Sequence, residues 1–333
     1  MLTYIARRVL MMIPTLFLIS LASFFIIQLP PGDFLSTYAA GMSAQNAEVA
    51  QETLEALEQR YGLDQPFYVQ YWYWISNIVC CGDFGQSFEW NRPVSSLIWD
   101  RLTLTMLLAI VSTLFTWFVA FLIGTYTAVR QYSVGDYFWT FVGFIGLATP
   151  NFLLALVLMW ISFRYFGQSV GGLFSPEYES APWSIGKAVD LFQHMWIPVV
   201  VIATAGAAST IRVMRANLLD ELHRPYTTTA RAKGMQEWRL IAKYPVRLAL
   251  NPFISTVGWT LPTLVSGEII VSVVLNLPTT GPLLLRSLES QDMYLAGSFI
   301  LMLGVLTLIG TLLSDILLAW LDPRIQYEKA GSR

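Results

Sequence analysis

Charge is scarce in this sequence. Aspartate, glutamate, lysine and arginine make up 13% of the 333 residues, whereas 55% are hydrophobic. A soluble domain carries about 25% charged residues, so the shortage excludes an ordinary soluble domain and suits an integral membrane protein. Histidine and cysteine are scarcer still, with two of each. His194 and His223 lie far apart and on opposite predicted sides of the membrane, so they cannot share a metal; each reads as an interfacial or solvated histidine. Cys80 and Cys81 are neighbours and match no zinc or redox spacing. A bond between them is open but strained, and two inert thiols at a membrane edge is the simpler reading. Catalytic motifs are missing too. Gly186-Lys187 lacks the partner glycine of a phosphate loop and is followed by Ala188, and there is no His-Glu-x-x-His or Gly-x-Ser-x-Gly. The chain is therefore expected to hold no metal or cofactor and to bind no ATP by that route.

Long apolar runs are what the sequence has in abundance. Residues 1–29 open with Arg7 and Arg8 and continue as an apolar run containing Pro14. A signal peptide has an apolar core of only ~7–15 residues and a small-x-small cleavage site. This run is longer and ends in Pro30-Pro31-Gly32-Asp33, so it reads as an uncleaved first span. Five more runs follow at 102–129, 138–166, 196–211, 253–275 and 294–318, most of them near or above the ~20 residues needed to cross a bilayer. The fourth is the shortest. It holds Pro198 and the small-residue run Thr204-Ala-Gly-Ala-Ala-Ser209, which lets helices approach closely and places it inside a bundle. Gly143, Gly146, Gly304 and Gly310 permit the same. The expected fold is an all-α membrane protein of six transmembrane helices, with a first helix in 1–29, a large external segment at 30–101 and a five-helix core over 102–333. With the N-terminus in the cytoplasm, 14 of the 20 lysines and arginines fall inside, a clear positive-inside bias that also puts the C-terminus inside.

Three polar stretches and one isolated carboxylate stand out against these runs. In the external segment, Glu48, Glu52, Glu55 and Glu58 mark an acidic surface helix, and Phe67, Tyr68, Tyr71, Trp72, Tyr73 and Trp74 form an aromatic cluster. Such rings favour a membrane interface, and equally they can form the small core of this piece. The basic segment 212–251, predicted cytoplasmic, contains Tyr226-Thr-Thr-Thr-Ala-Arg-Ala-Lys-Gly-Met235. Pro225 closes the preceding helix, Thr227, Thr228 and Thr229 offer an N-cap oxygen, and Gly234 sits where a left-handed stop is wanted. Met235, Trp238, Ile241 and Tyr244 then suggest a second short amphipathic helix ending at Pro245. Such a loop is either a docking surface for a soluble partner or an ordinary solvated loop. Asp220, Glu221 and Glu237 interrupt its positive charge, which disfavours nucleic acid and leaves anionic lipid headgroups as the better match. The last external loop breaks at Pro278 and Gly281-Pro282, and 283–288 reads as a short amphipathic helix at the outer surface. Finally, Glu268 lies within the fifth run, where an ionisable group either lines a path or pairs with a polar group of a neighbouring helix.

The loop around Gly234 resembles the coupling loop of permease subunits in ATP-binding-cassette importers, most closely those of the dipeptide, oligopeptide and nickel group. The family's characteristic alanine, and a glycine four residues on, match Ala230 and Gly234. The leading Glu-Ala of the general motif is replaced by Thr228-Thr229, while Thr229-Ala-Arg-Ala-Lys-Gly234 after Tyr226 fits the peptide group. Similar matches run along the chain: Tyr4-x-x-Arg7-Arg8, Gly62-Leu-Asp-Gln-Pro66, Gly82-Asp-Phe-Gly-Gln-Ser87, Arg92-Pro93-Val94, Asp292-Met-Tyr294 and Leu321-Asp-Pro-Arg324. The resemblance implies a type I importer permease of a bacterial inner membrane. It would work with a second homologous permease, two ATPase subunits that bind ATP and Mg, and a periplasmic or lipid-anchored substrate-binding protein. It further implies an ATPase-coupling role for Tyr226, Thr229, Ala230, Arg231, Ala232, Lys233, Gly234 and Met235, and an external gate or binding-protein contact at Pro278, Gly281, Arg286 and Asp292. Glu268 becomes a candidate for the translocation path. The alternative of an ion-coupled secondary transporter needs several intramembrane ionisable groups, and only Glu268 and Asp315 lie well within the runs.

Overall fold

A computed structural model describes residues 2–28, 65–87, 89–167, 171–255, 269–290 and 292–321. Among these the chain is almost wholly helical. In order, the elements are α1 (Leu2–Gln28), α2 (Phe67–Cys81), the strands β1 (Gln86–Ser87) and β2 (Arg92–Pro93), α3 (Val94–Val129), α4 (Val134–Ala148), α5 (Asn151–Ile161) with a π-helical turn at Ser162–Phe166, α6 (Pro176–Glu179), α7 (Ile185–Leu222), α8 (Pro225–Ala232), α9 (Glu237–Lys243), α10 (Pro245–Ala249), α11 (Asn251–Ser255), α12 (Ile269–Val274), α13 (Thr280–Glu289) and α14 (Met293–Leu321). Four of the described helices, α1, α3, α7 and α14, contain stretches long and apolar enough to cross a membrane. The bent pair α4–α5 makes a fifth if counted as one span. The expected fifth run, 253–275, passes through 256–268, outside the described residues, and is represented by α11 and α12.

The third run is not straight. Its two halves are bent by 104° at the break between them, with Thr149 extended (φ −85°, ψ 123°) and Pro150 capping α5. Proline supplies no N–H and drives the residue before it out of helical geometry. Ala148-Thr-Pro150 was therefore a readable break that hydropathy alone passes over. The fourth run is corrected in the other direction. α7 is a single helix of 38 residues, extending well beyond 196–211 at both ends. Its first turns hold Lys187, Asp190 and His194, polar residues that hydropathy reads as loop. Lys187 and Asp190 are buried because the preceding loop satisfies them. Lys187 Nζ donates to Ala181 O at 2.7 Å and sits 4.8 Å from the Phe174 ring centroid, and Asp190 accepts from Ser175 N–H at 2.7 Å. His194 bonds the carbonyl of Asp190 within its own helix.

The described residues form two compact units. One comprises Leu2–Leu104 and Thr279–Leu308. Its core is Phe24, Tyr71, Trp74 and Leu301, flanked by Ile19, Ile75, Ile78 and Tyr294. Ser20 donates to Phe17 O, so the 2.8 Å bond between Ser20 and Tyr71 is donated by the tyrosine. The aromatic cluster is thus divided by helical spacing: Tyr71 and Trp74 face inward, while Tyr68, Trp72 and Tyr73 are exposed. Gly82, in left-handed geometry (φ 63°), ends α2. Cys80 and Cys81, just before it, are bonded to each other, which corrects the reading of two inert thiols.

The other unit comprises Thr105–Pro278 and the chain from Ile309. Its core joins Ala120 and Ala128 of α3, Met214 and Leu218 of α7, Ala249 of α10 and Phe253 of α11. The close approach of α3 to α7 requires Gly124, because a Cβ there would lie 2.7 Å from the Met214 side chain. In lipid, where helices gain little from hiding apolar surface, contacts of this kind hold them together.

Candidate functional site

The segment that follows α7 is built by local chemistry. α7 ends at Leu222, and Pro225 begins α8 as its first residue rather than closing α7. A missing N–H costs nothing at that position and the ring presets the helical φ. The threonines do not cap α8, since the N-cap is Arg224 and no side chain bonds there. They turn back onto carbonyls already behind them. Thr227 Oγ1, fully buried, donates to Glu221 O at 2.9 Å, and Thr229 Oγ1 donates to Pro225 O at 2.9 Å. Tyr226 O–H donates to the Glu221 carboxylate. Burial, together with that carboxylate, pushes the Tyr226 phenol up to about 12. The last turn of α7 therefore holds the first turn of α8 through two successive residues.

The expected stop at Gly234 is present. Gly234 has φ 75°, its N–H bonds Arg231 O at 3.0 Å, and Met235 N–H reaches Ala230 O at 3.3 Å. These are the two crossed bonds of a Schellman motif, and they satisfy carbonyls that a helix end leaves open. Arg231 Nε then reaches Glu237 Oε2 at 3.0 Å, joining α8 to the first turn of α9. The pair holds the Glu237 carboxyl below the usual carboxylate range and raises the Arg231 guanidinium further. The apolar face of α9 is not the expected one. Leu240 is fully buried and Ile241 partly so, whereas Trp238 is 66% exposed. Trp238 lies under the Arg239 guanidinium at 5.1 Å and donates from its indole to Gln236 Oε1. Ala232, Lys233, Arg224, Arg239, Lys243 and Arg247 are all exposed. The result is a short, stiff helix with a cationic surface and an exposed tryptophan beside it.

The residues expected at the last loop have mixed settings. Pro278 is partly buried, Gly281 is buried in α13, and Arg286 is exposed. Asp292 is 0% exposed and faces inward. Its Oδ2 accepts from Ser87 Oγ at 2.5 Å and from Glu89 N–H, and its Oδ1 accepts from Leu295 N–H, capping α14. Beside it the Tyr294 ring lies on Gly85 (φ 86°), so closely that an added Cβ would be 2.8 Å from the ring. Gly82-Asp-Phe-Gly-Gln-Ser87 and Asp292-Met-Tyr294 are thus two halves of one joint, two motifs that nothing in the sequence pairs. Glu268 lies outside the described residues.

Comparison with known proteins gives two family models that between them cover most of the chain. One, binding-protein-dependent transport system inner membrane component, matches residues 120–327. The other, the N-terminal part of the membrane component of such systems, matches residues 1–109. The oligopeptide transport system permease protein AppB of Bacillus subtilis is 37% identical over 329 residues, 98% of this chain and 100% of the relative. The glutathione transport system permease protein GsiC of Escherichia coli K12 is 32% identical over 98% of this chain and 100% of its own length. The oligopeptide transport system permease protein OppB of Haemophilus influenzae is 31% identical over the same shares.

Proposed function

The chain belongs to the inner membrane components of binding-protein-dependent transport systems, the permeases of peptide-group ATP-binding-cassette importers, and from that premise we propose that it forms, with a second permease, the path by which peptides or similar small polar solutes enter the cell. It is a multi-pass protein of the inner membrane. The relatives are named as transport-system permeases for oligopeptides and glutathione, which supports a peptide substrate here and gives no support to ion-coupled transport. In this reading six helices cross the membrane, 30–101 faces the outside, both termini are cytoplasmic, and two partner subunits bind ATP and Mg. A substrate-binding protein delivers the solute to the outer loops, where Arg286 is an exposed cation on α13, and Glu268 lines the path.

The observation that carries the coupling role is the construction of α8. It is tied to the last turn of α7 by Tyr226 and Thr227 and closed by left-handed Gly234. A push on α8 is therefore delivered to a 38-residue helix rather than absorbed in a loop. ATP binding by the partners biases two discrete arrangements of the helices, which is what coupling requires. The experiment is reconstitution of the chain with the second permease, the ATPases and the binding protein in liposomes. The expected result is peptide accumulation that needs both ATP and binding protein. Accumulation driven by an ion gradient in the absence of ATP contradicts the reading.

A further inference from the structure

Helix α4 is fastened to α7 along one stripe. A Cβ on Gly146 would lie 2.9 Å from Thr204 Cγ2, and one on Gly143 would lie 4.0 Å from Ala208 Cβ. The Phe144 ring lies 5.8 Å from the Arg212 guanidinium carbon, and Arg215 reaches Asp136 Oδ2 at 2.8 Å. Positions 204, 208, 212 and 215 fall on one face of α7. Asp136 is only 2% exposed. Its Oδ2 also accepts Tyr132 N–H at 2.9 Å, where the backbone turns left-handed (φ 62°), and its own N–H is capped by Ser133 Oγ. One carboxylate therefore ties together the turn after α3, the first turn of α4 and the shaft of α7. About two turns beyond Arg215, α7 ends in the residues that grip α8.

The contacts differ in what they resist. Small residues packed on small residues bear compression but let helices slide past one another. A short charge-assisted bond between a buried carboxylate and a guanidinium resists sliding and separation alike, because either movement leaves a buried charge unpaired. We propose that Asp136–Arg215 is the joint through which a displacement of α8, carried along α7, moves α4 and the turn before it. Both are positioning residues, acting through the helices they join. The inference rests on the importer reading given above.

The test uses the whole importer in liposomes, with trialanine as the probe, and spin labels on Thr228→Cys and Tyr137→Cys in a chain whose Cys80 and Cys81 are serines. In the unaltered joint the two labelled helices move as one, so their separation stays single and constant with and without ATP. In Asp136→Asn and Arg215→Met, both correctly assembled by gel filtration, the separation is expected to shift or broaden on adding ATP. Uptake per ATP hydrolysed should fall about tenfold, the scale of an ordinary coupling free energy. Arg215→Lys keeps the charge and should restore much of both. A purely structural role lowers the amount of assembled complex and leaves the separation and the uptake ratio of what remains unchanged, and that result overturns the joint. If the complex with the joint intact hydrolyses no ATP and transports only with an ion gradient, the importer reading fails, and the joint with it.

Discussion

Arg231 shows how one side chain can serve two accounts. As an exposed cation on α8 it could meet a partner directly, yet it is already engaged with Glu237. Charge reversal separates the two. If Arg231 acts by bracing α8 against α9, Arg231→Glu should lower ATP-driven uptake and Arg231→Glu with Glu237→Arg should recover it. If it docks a partner, the double variant should be as poor as the single one. The pH sign follows from the depressed Glu237 carboxyl, whose contribution is complete above the ordinary carboxylate pKa of about 4.3 and is lost as pH falls through its lower folded value. Uptake and thermal stability should therefore show no loss of this brace between neutral pH and about 5. Tyr226 behaves in the opposite sense. Its raised phenol contributes fully below the ordinary pKa near 10 and loses its hold as pH rises towards about 12. Asp292 belongs to a different class, being buried and donated to from three sides. Asp292→Ala removes a helix cap worth about 1 kcal/mol and strands the hydroxyl of Ser87. Differential scanning calorimetry of the purified chain should show a lower melting temperature than for Asp292→Asn, which keeps an acceptor. Equal melting temperatures for the two variants would contradict that assignment.

Among the elements, α8 offers the cleanest contrast because Gly234 is surrounded by open space. A Cβ there meets nothing within 4 Å, so any penalty is one of backbone conformation. A left-handed L-residue costs roughly 1–2 kcal/mol, and asparagine bears it best. Gly234→Val should uncouple ATP hydrolysis from uptake, and Gly234→Asn should keep most of both; a Val variant that transports as well as the Asn variant would refute a role for the stop. This glycine was legible in the sequence because its cause is local, a helix former run followed by the one residue without a Cβ. Elsewhere local reasoning misled. The threonines of α8 looked like caps but bond backwards, since Pro225 already occupies the first helical position. Glu221 and Glu237 looked like interruptions of a basic run and are instead the partners of Tyr226 and Arg231. The bend at Pro150 was readable from residue chemistry and hidden by counting apolar residues. The full length of α7 was not readable, because the polar Lys187 and Asp190 of its first turns are accommodated only once the loop before them supplies their partners. Asp136–Arg215 and Ser87–Asp292 join residues 79 and 205 positions apart, and no periodicity records such pairs.

For the whole molecule, likeness along the chain to peptide-group permeases, rather than any catalytic group, marks an importer subunit. Its action depends on partners, so its most direct test is where they touch it. A photo-crosslinking amino acid placed at Lys233, exposed at the end of α8, should be illuminated in inside-out membrane vesicles that contain the complete importer. An adduct with an ATP-binding subunit is expected, in a yield that changes when ATP is trapped with vanadate. The same probe in right-side-out vesicles should stay out of reach of an impermeant quencher. An adduct confined to lipid or to the substrate-binding protein, unaffected by nucleotide, would contradict the claim that α8 is where ATP hydrolysis is received.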